Sequence, residues 1–440
     1  MLNAIFRYLG RHHVALLALF VALGGTAVAA TFINGTQIRP GSLPENRLTA
    51  AAAASLRAAE LTTYCKTANA RPRAYSTVPC RSRSEAVADG PNVGDIAIGA
   101  DGNPVVIFGG HPIEFVRCND WLCAGNDESV QEINGTFCGG GSRGEAALAI
   151  NADGNPIVSQ RNGGCTSDGI LNVSVCKDPS CAAPDEGGPN YDADGTGRYN
   201  SIAIGTDGNP VVSYYDLPNG NLKVLHCNDR LCDGTDDTTN LVASDGDVGA
   251  WTSLAIGKNG NPVIAYYDVT NHDLKVARCN DKACAGEDET ISTVESSGDV
   301  GEFASLAIGA DGNPVIAYYK RSTGDLKVAK CNDPACAGGN EKRTTVVSEG
   351  DVGQWASLGV GLDGRPAIAF YEATPAAQDL RLVRCNDTSC AGGNERITTL
   401  DGAGSAGQFA SLAIGVDGVP VVAYFDATTN KVEVARPSIP

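Results

Sequence analysis

The chain has 440 residues, with 33 Lys and Arg against 51 Asp and Glu and a formal net charge of −18 at pH 7. That acidic balance excludes sequence-independent binding to nucleic acid, which needs a basic footprint. A 42% hydrophobic share excludes a wholly disordered chain, and 53 glycines, against a usual share of about 7%, point to many turns between short strands.

Residues 1–29 read as an export signal. Arg7 and Arg11 precede an apolar run from Val14 to Leu23, and Ala27-Val28-Ala29 supplies a small-residue cleavage site. The run is shorter than the ~20 apolar residues of a membrane span. The competing reading is an uncleaved N-terminal anchor. No later run approaches this length, so no span is expected after cleavage. Residues 30–73 read as a linker with one helix. Ser42 with Glu45 fits a capping box, and Leu48, Ala52, Leu56 and Ala59 fall on one helical face.

From residue 74 to residue 440 one unit repeats seven times. The phrase SLAIGADGNPVIAYY recurs with small changes, and its turn glycine stands at Gly102, Gly154, Gly208, Gly260, Gly312, Gly364 and Gly418. The intervals are 52, 54, 52, 52, 52 and 54 residues. Each unit divides into four strands. In the fifth these are Ser305–Ile308 (strand A), Val315–Tyr319 (B), Leu326–Lys330 (C) and Thr344–Val347 (D). The A–B turn Asp311-Gly312-Asn313-Pro314 is built from turn formers. Repeated four-stranded units of about 50 residues predict an all-β, seven-bladed propeller. The seventh unit stops after strand C, and a spare strand-D segment, Ser84–Gly90, precedes the first. The N-terminal strand is therefore expected to complete the last blade and remove the open edges.

Six units carry Cys-x4-Cys between strands C and D: Cys118 with Cys123, Cys176 with Cys181, Cys227 with Cys232, Cys279 with Cys284, Cys331 with Cys336 and Cys385 with Cys390. Disulfides are expected in an exported chain. Zinc is the alternative, but each loop offers two sulfurs and most have no His beside them. Cys65–Cys80 and Cys138–Cys165 are the expected remaining pairs, although spacing alone does not decide that connectivity.

One face of the ring, formed by the D–A and B–C loops, collects the unusual chemistry. Tyr199, Trp251, Phe303, Trp355 and Phe409 stand before strand A in five successive units, joined by Asp247, Asp299 and Asp351 in the Gly-Asp-Val-Gly loops. Asp216, Asp268, Glu372 and Asp426 end strand B. These residues read either as blade wedges and turn caps or as a ring of sugar-binding pockets. In such pockets aromatic faces stack on sugar C–H groups, carboxylates accept hydroxyl hydrogen bonds, and weak sites gain from repetition. Asp192 and Asp194, in a Gly turn, form a candidate calcium site. Units one and two lack the aromatic and replace the strand B ending with Ile107–His111 and Ser159–Asn162. Hydrolase, metalloprotease, nucleotide and phosphate-loop motifs are absent, and no catalytic residue is assigned.

The segment Ala18–Ala30 with Ile33-Asn34-Gly35 and Leu43-Pro44 resembles the N-termini of exported actinobacterial proteins. The SLAIGxDGNPVIAYYD repeats resemble those of exported bacterial propeller proteins. This resemblance implies architecture and not activity. The expected protein is a monomeric, secreted or cell-surface binding module for an extracellular glycan or protein. Calcium is its candidate cofactor, and nucleic acid is not expected as a partner. The alternative is an extracellular polysaccharide hydrolase or lyase with its site near blades one and two.

Overall fold

A computed structural model describes residues 83–89, 93–109, 113–124, 128–133, 146–162, 169–181, 190–192, 195–234 and 236–437. The signal segment and the linker helix lie outside the described residues. Seven four-stranded antiparallel sheets form the expected propeller. In blade 4 the strands are Val248–Ile256, Pro262–Asp268, Asp273–Arg278 and Thr290–Glu295, hydrogen-bonded in that order. Strand A of each blade is innermost. It packs against strand A of both neighbours, and the circle closes between Val93–Ile98 of blade 1 and Ala406–Ile414 of blade 7.

The closing strand lies where the repeat predicts it. Arg83–Asp89 pairs antiparallel with Lys431–Arg436, from Arg83 opposite Arg436 to Asp89 opposite Lys431. It supplies the fourth strand of blade 7.

Strand B follows from its composition. Pro262-Val263-Ile264-Ala265-Tyr266-Tyr267-Asp268 is buried along its whole length because both of its faces meet a neighbouring blade. Seven apolar clusters fill the sheet interfaces. Polar devices hold neighbouring blades in register. The N–H of Leu254 donates to Ser201 Oγ of the preceding blade at 3.0 Å, and Leu306, Leu358 and Leu412 do the same to Ser253, Ser305 and Ser357 at 2.9 Å. These bonds satisfy N–H groups on the innermost strands.

The six Cys-x4-Cys pairs are disulfides, as the export reading predicts. Cys118 bonds to Cys123, Cys176 to Cys181, Cys227 to Cys232, Cys279 to Cys284, Cys331 to Cys336 and Cys385 to Cys390. Each closes a small ring worth about 2 kcal/mol in the chain-entropy model. The spacing does not disclose how the turn is made. The second cysteine of every pair is left-handed, with φ of 53° at Cys123, 52° at Cys181, 53° at Cys232 and Cys284, 51° at Cys336 and 50° at Cys390. At these six positions the bond to the first cysteine holds a conformation that a side chain disfavours.

The Asp inside the ring caps the turn: Asp281 Oδ1 accepts from the N–H of Ala283 at 2.8 Å and of Ala285 at 3.2 Å. Asp237 and Glu289 each approach one of these cysteine pairs. Sulfurs bonded to each other are not thiolate ligands, so the zinc alternative fails at all six loops. Cys65, Cys80, Cys138 and Cys165 lie outside the described residues.

Beside the Cys279–Cys284 bridge, burial and then the charges of Asp288 and Asp281 push the Glu289 carboxyl up to about 7. The folded value exceeds the unfolded one of about 4.3. Its contribution to stability is therefore complete in acid and lost as pH rises through 7. Glu289→Gln is expected to melt above wild type at pH 8 and together with it at pH 4. Paired melts at the two pH values check this, and an equal gain at both would refute it.

Candidate functional site

The sequence puts the five aromatics ahead of strand A, but the structure puts them inside it. Strands Thr196–Ile204, Val248–Ile256, Glu302–Ile308, Val352–Val360 and Ala406–Ile414 each carry a bulge at the aromatic. Pairing with strand B slips between Ala250 and Ser253 and at the equivalent places in the other four. A bulge adds residues to one strand only, so simple alternation does not reveal it.

At the bulge the backbone is left-handed. The φ angles are 50° for Tyr199, 47° for Trp251, 52° for Phe303, 48° for Trp355 and 54° for Phe409. A bulky non-glycine residue in this region stores strain of order 1–3 kcal/mol, and such strain gathers at functional sites. Here it turns five half-buried rings into contact with one another. Centroids are 4.8 Å apart for Tyr199 and Trp251, 5.5 Å for Trp251 and Phe303, 5.5 Å for Phe303 and Trp355, and 5.0 Å for Trp355 and Phe409. The result is one continuous arc over blades 3 to 7, not five separate aromatic–acid pockets.

A second tier of tyrosines supports the arc. Tyr215, Tyr267, Tyr319 and Tyr371 stand 5.5–6.2 Å from the aromatic of their own blade. Three of their hydroxyls donate to the carboxylates singled out in the sequence: Tyr215 to Asp247 at 2.6 Å, Tyr267 to Asp299 at 2.7 Å and Tyr319 to Asp351 at 2.6 Å. Burial, then these bonds and charges, hold the three hydroxyls well above the usual tyrosine range, so they stay protonated donors. Asp247, Asp299 and Asp351 thus tie one blade to the next beside the rings.

The strand B acids are structural. Asp216, Asp268 and Asp426 are buried and accept bonds from Asn219, Asn271 and Thr428 in their own turns. Glu372 pairs with Arg381 at 2.8 Å. Asp192 accepts from Tyr214 at 2.8 Å and pairs with Lys223 at 2.6 Å. Lys223 therefore already answers the Asp192 charge, and Asp194 lies outside the described residues.

Blades 1 and 2 interrupt the pattern. Gln160 and Arg161 are buried where blade 3 has Tyr214 and Tyr215. Asp95 replaces the serine of the inner ring. Its Oδ1 accepts from Ser411 Oγ at 2.6 Å and its Oδ2 from the Leu148 N–H at 2.9 Å. Burial raises its carboxyl above the ordinary range, although all three of its hydrogen bonds pull the other way. Reading the repeat for agreement missed Asp95, and it also missed His272, Lys320 and Arg321 on the rim of the arc. Each departs from its repeat position, which is the signal that could have found it.

No family model matches this chain, and no curated protein matches it either. Several solved structures are similar to it. Hydrazine synthase of Kuenenia stuttgartiensis is 14% identical, with 80% of this chain and 97% of that one covered and a TM-score of 0.52. An α-L-arabinanase of Penicillium chrysogenum complexed with arabinobiose is 14% identical over 67% and 92%, with a TM-score of 0.46. A protein of unknown function from Dyadobacter fermentans is 13% identical over 67% and 94%, with a TM-score of 0.48. The likeness to hydrazine synthase is one of fold alone.

Proposed function

We propose that this propeller is an exported, non-catalytic binding module whose glycan ligand lies along the aromatic arc. The observation that carries the reading is the repeated left-handed bulge, which holds five rings in one arc at a cost in strain. Their pitch of 4.8–5.5 Å is close to the advance of one sugar residue along an extended chain. Neighbouring rings are tilted to each other by 29–60°, which leaves ring edges and parts of faces for sugar C–H groups. Six disulfides suit an oxidising compartment. Among the described residues no helix is long and apolar enough to cross a membrane.

A glycan array with calcium and again with chelator tests the reading. Trp251→Ala and Trp355→Ala are each expected to weaken the hits about fivefold, the ~1 kcal/mol of one aromatic contact. Unchanged affinity in both variants would refute the arc as the site. Loss of binding with chelator would bring the Asp192 turn back as a calcium site.

Asp95 favours a second reading, a polysaccharide hydrolase or lyase with its site near blades 1 and 2. A half-buried carboxyl raised above its usual range suits a general acid. Release of reducing ends from a bound polymer, abolished by Asp95→Asn, would support it over the binding module.

A further inference from the structure

At one place on the rim of the arc cations stand where the repeat has an acid. In the strand B position held by Asp216, Asp268, Glu372 and Asp426, blade 5 has Lys320, and Arg321 follows it. In the left-handed B–C turn position held by Gly220, Gly324, Gln378 and Asn430, blade 4 has His272 at φ 60°. These three departures lie at the junction of blades 4 and 5: His272 adjoins Tyr267, whose ring packs on Trp251, and Arg321 pairs with Glu302, the residue before Phe303.

The contacts there are specific. His272 Nδ1 lies 2.6 Å from the Tyr267 hydroxyl, which donates to Asp299, and its ring is largely exposed. Arg321 Nη1 holds the nearly buried Glu302 at 2.7 Å, while 62% of the arginine side chain stays open to solvent. Lys320 runs past the D–A loop, where a Cβ on Gly298 would stand 3.5 Å from its Cε. Among the described residues its ammonium has no hydrogen-bond or ion-pair partner. In blades 3, 4, 6 and 7 the repeat puts a carboxylate at that position, either capping its own turn or paired with a cation.

We infer that this junction is an anion-binding subsite that takes the carboxylate of a uronic acid residue in an otherwise neutral glycan. The inference rests on the glycan reading above and specifies its ligand. Arg321 offers the open side of a planar fork and Lys320 an unpaired ammonium, and the exposed His272 ring borders them. Trp251 and Phe303, one residue removed through Tyr267 and Glu302, would receive the sugar ring. Asp299 at the junction is already bonded by the Tyr267 hydroxyl, whereas Asp247 and Asp351 flank the site without a neighbouring Lys320 or Arg321, so a polymer charged at every residue would meet carboxylates on either side.

Calorimetric titration of the whole protein with three probes tests this. They are a neutral xylo-oligosaccharide, the same backbone with a single glucuronate branch, and an oligogalacturonate. The singly charged chain is expected to bind about tenfold more tightly than the neutral one, as a charge-assisted contact would give. It should also bind more tightly than the oligogalacturonate. Lys320→Asp with His272→Gly restores the repeat residues, and in it the ratio of acidic to neutral affinity should fall to about one. Lys320→Gln keeps the test open should the double variant fold poorly. Equal wild-type affinities for the neutral and singly charged chains would overturn the subsite and leave the arc standing. A preference that survives both variants would overturn it as well. Binding of none of the three probes would overturn the glycan reading together with the subsite.

Discussion

A chain that begins at residue 91 is expected to aggregate or to unfold well below one that begins at residue 79. The difference is the strand Arg83–Asp89, which completes blade 7. Without it, Lys431–Arg436 presents a free edge of N–H and C=O groups, which is a template for pairing with another chain. Val87 and Ala88 also leave the apolar cluster that joins blades 1 and 7. The loss is larger than that of one strand from an open sheet, because every blade depends on the ring being closed. Size-exclusion chromatography and denaturant midpoints of the two chains check this. A monomer with an unchanged midpoint would show that the ring closes without its N-terminal strand.

Lys327→Met is expected to be the most damaging single substitution between blades. Lys327 and the Tyr318 hydroxyl both bond Glu295, which belongs to the preceding blade. Lys327 is 8% exposed and Glu295 4%, so water does not replace the lost ammonium. Stranding one partner of a buried pair costs about 3–5 kcal/mol. The double variant Lys327→Met/Glu295→Met removes the orphaned charge and should recover most of that loss. A denaturant series on wild type, the two single variants and the double variant gives the coupling. Additive losses would mean that the pair does not act as a latch.

Much of this fold is legible in the sequence because it is written seven times. A spare strand before the first unit and a missing one in the last allow a single closed arrangement. Cysteines five residues apart can reach only each other within one turn. The functional face is less legible. Left-handed backbone is ordinarily a glycine signal, so Trp251 and Trp355 give no warning of their bulge, just as Cys336 and Cys390 give none of their turn. The tie from Tyr267 to Asp299 spans 32 residues and crosses between blades. Periodicity within one strand carries no record of it. The strand B acids look like ligands by type and become turn caps only when Asn219 or Asn271 is seen beside them. Lys320 and His272 are visible as exceptions, provided the repeat is read for its failures as well as its regularity.

The three tryptophans offer the most direct test of where a ligand sits. Trp251 and Trp355 belong to the arc, whereas Trp121 lies in a Cys-x4-Cys loop on the opposite face, 41% exposed and stacked on Arg436 at 4.6 Å. The measurement is indole fluorescence during titration with the singly glucuronylated xylo-oligosaccharide, in Trp121→Phe and in Trp251→Phe/Trp355→Phe. A ligand along the arc changes the emission of the first variant and leaves that of the second unchanged. A change confined to the second would place the ligand on the other face and contradict the aromatic arc as the binding site.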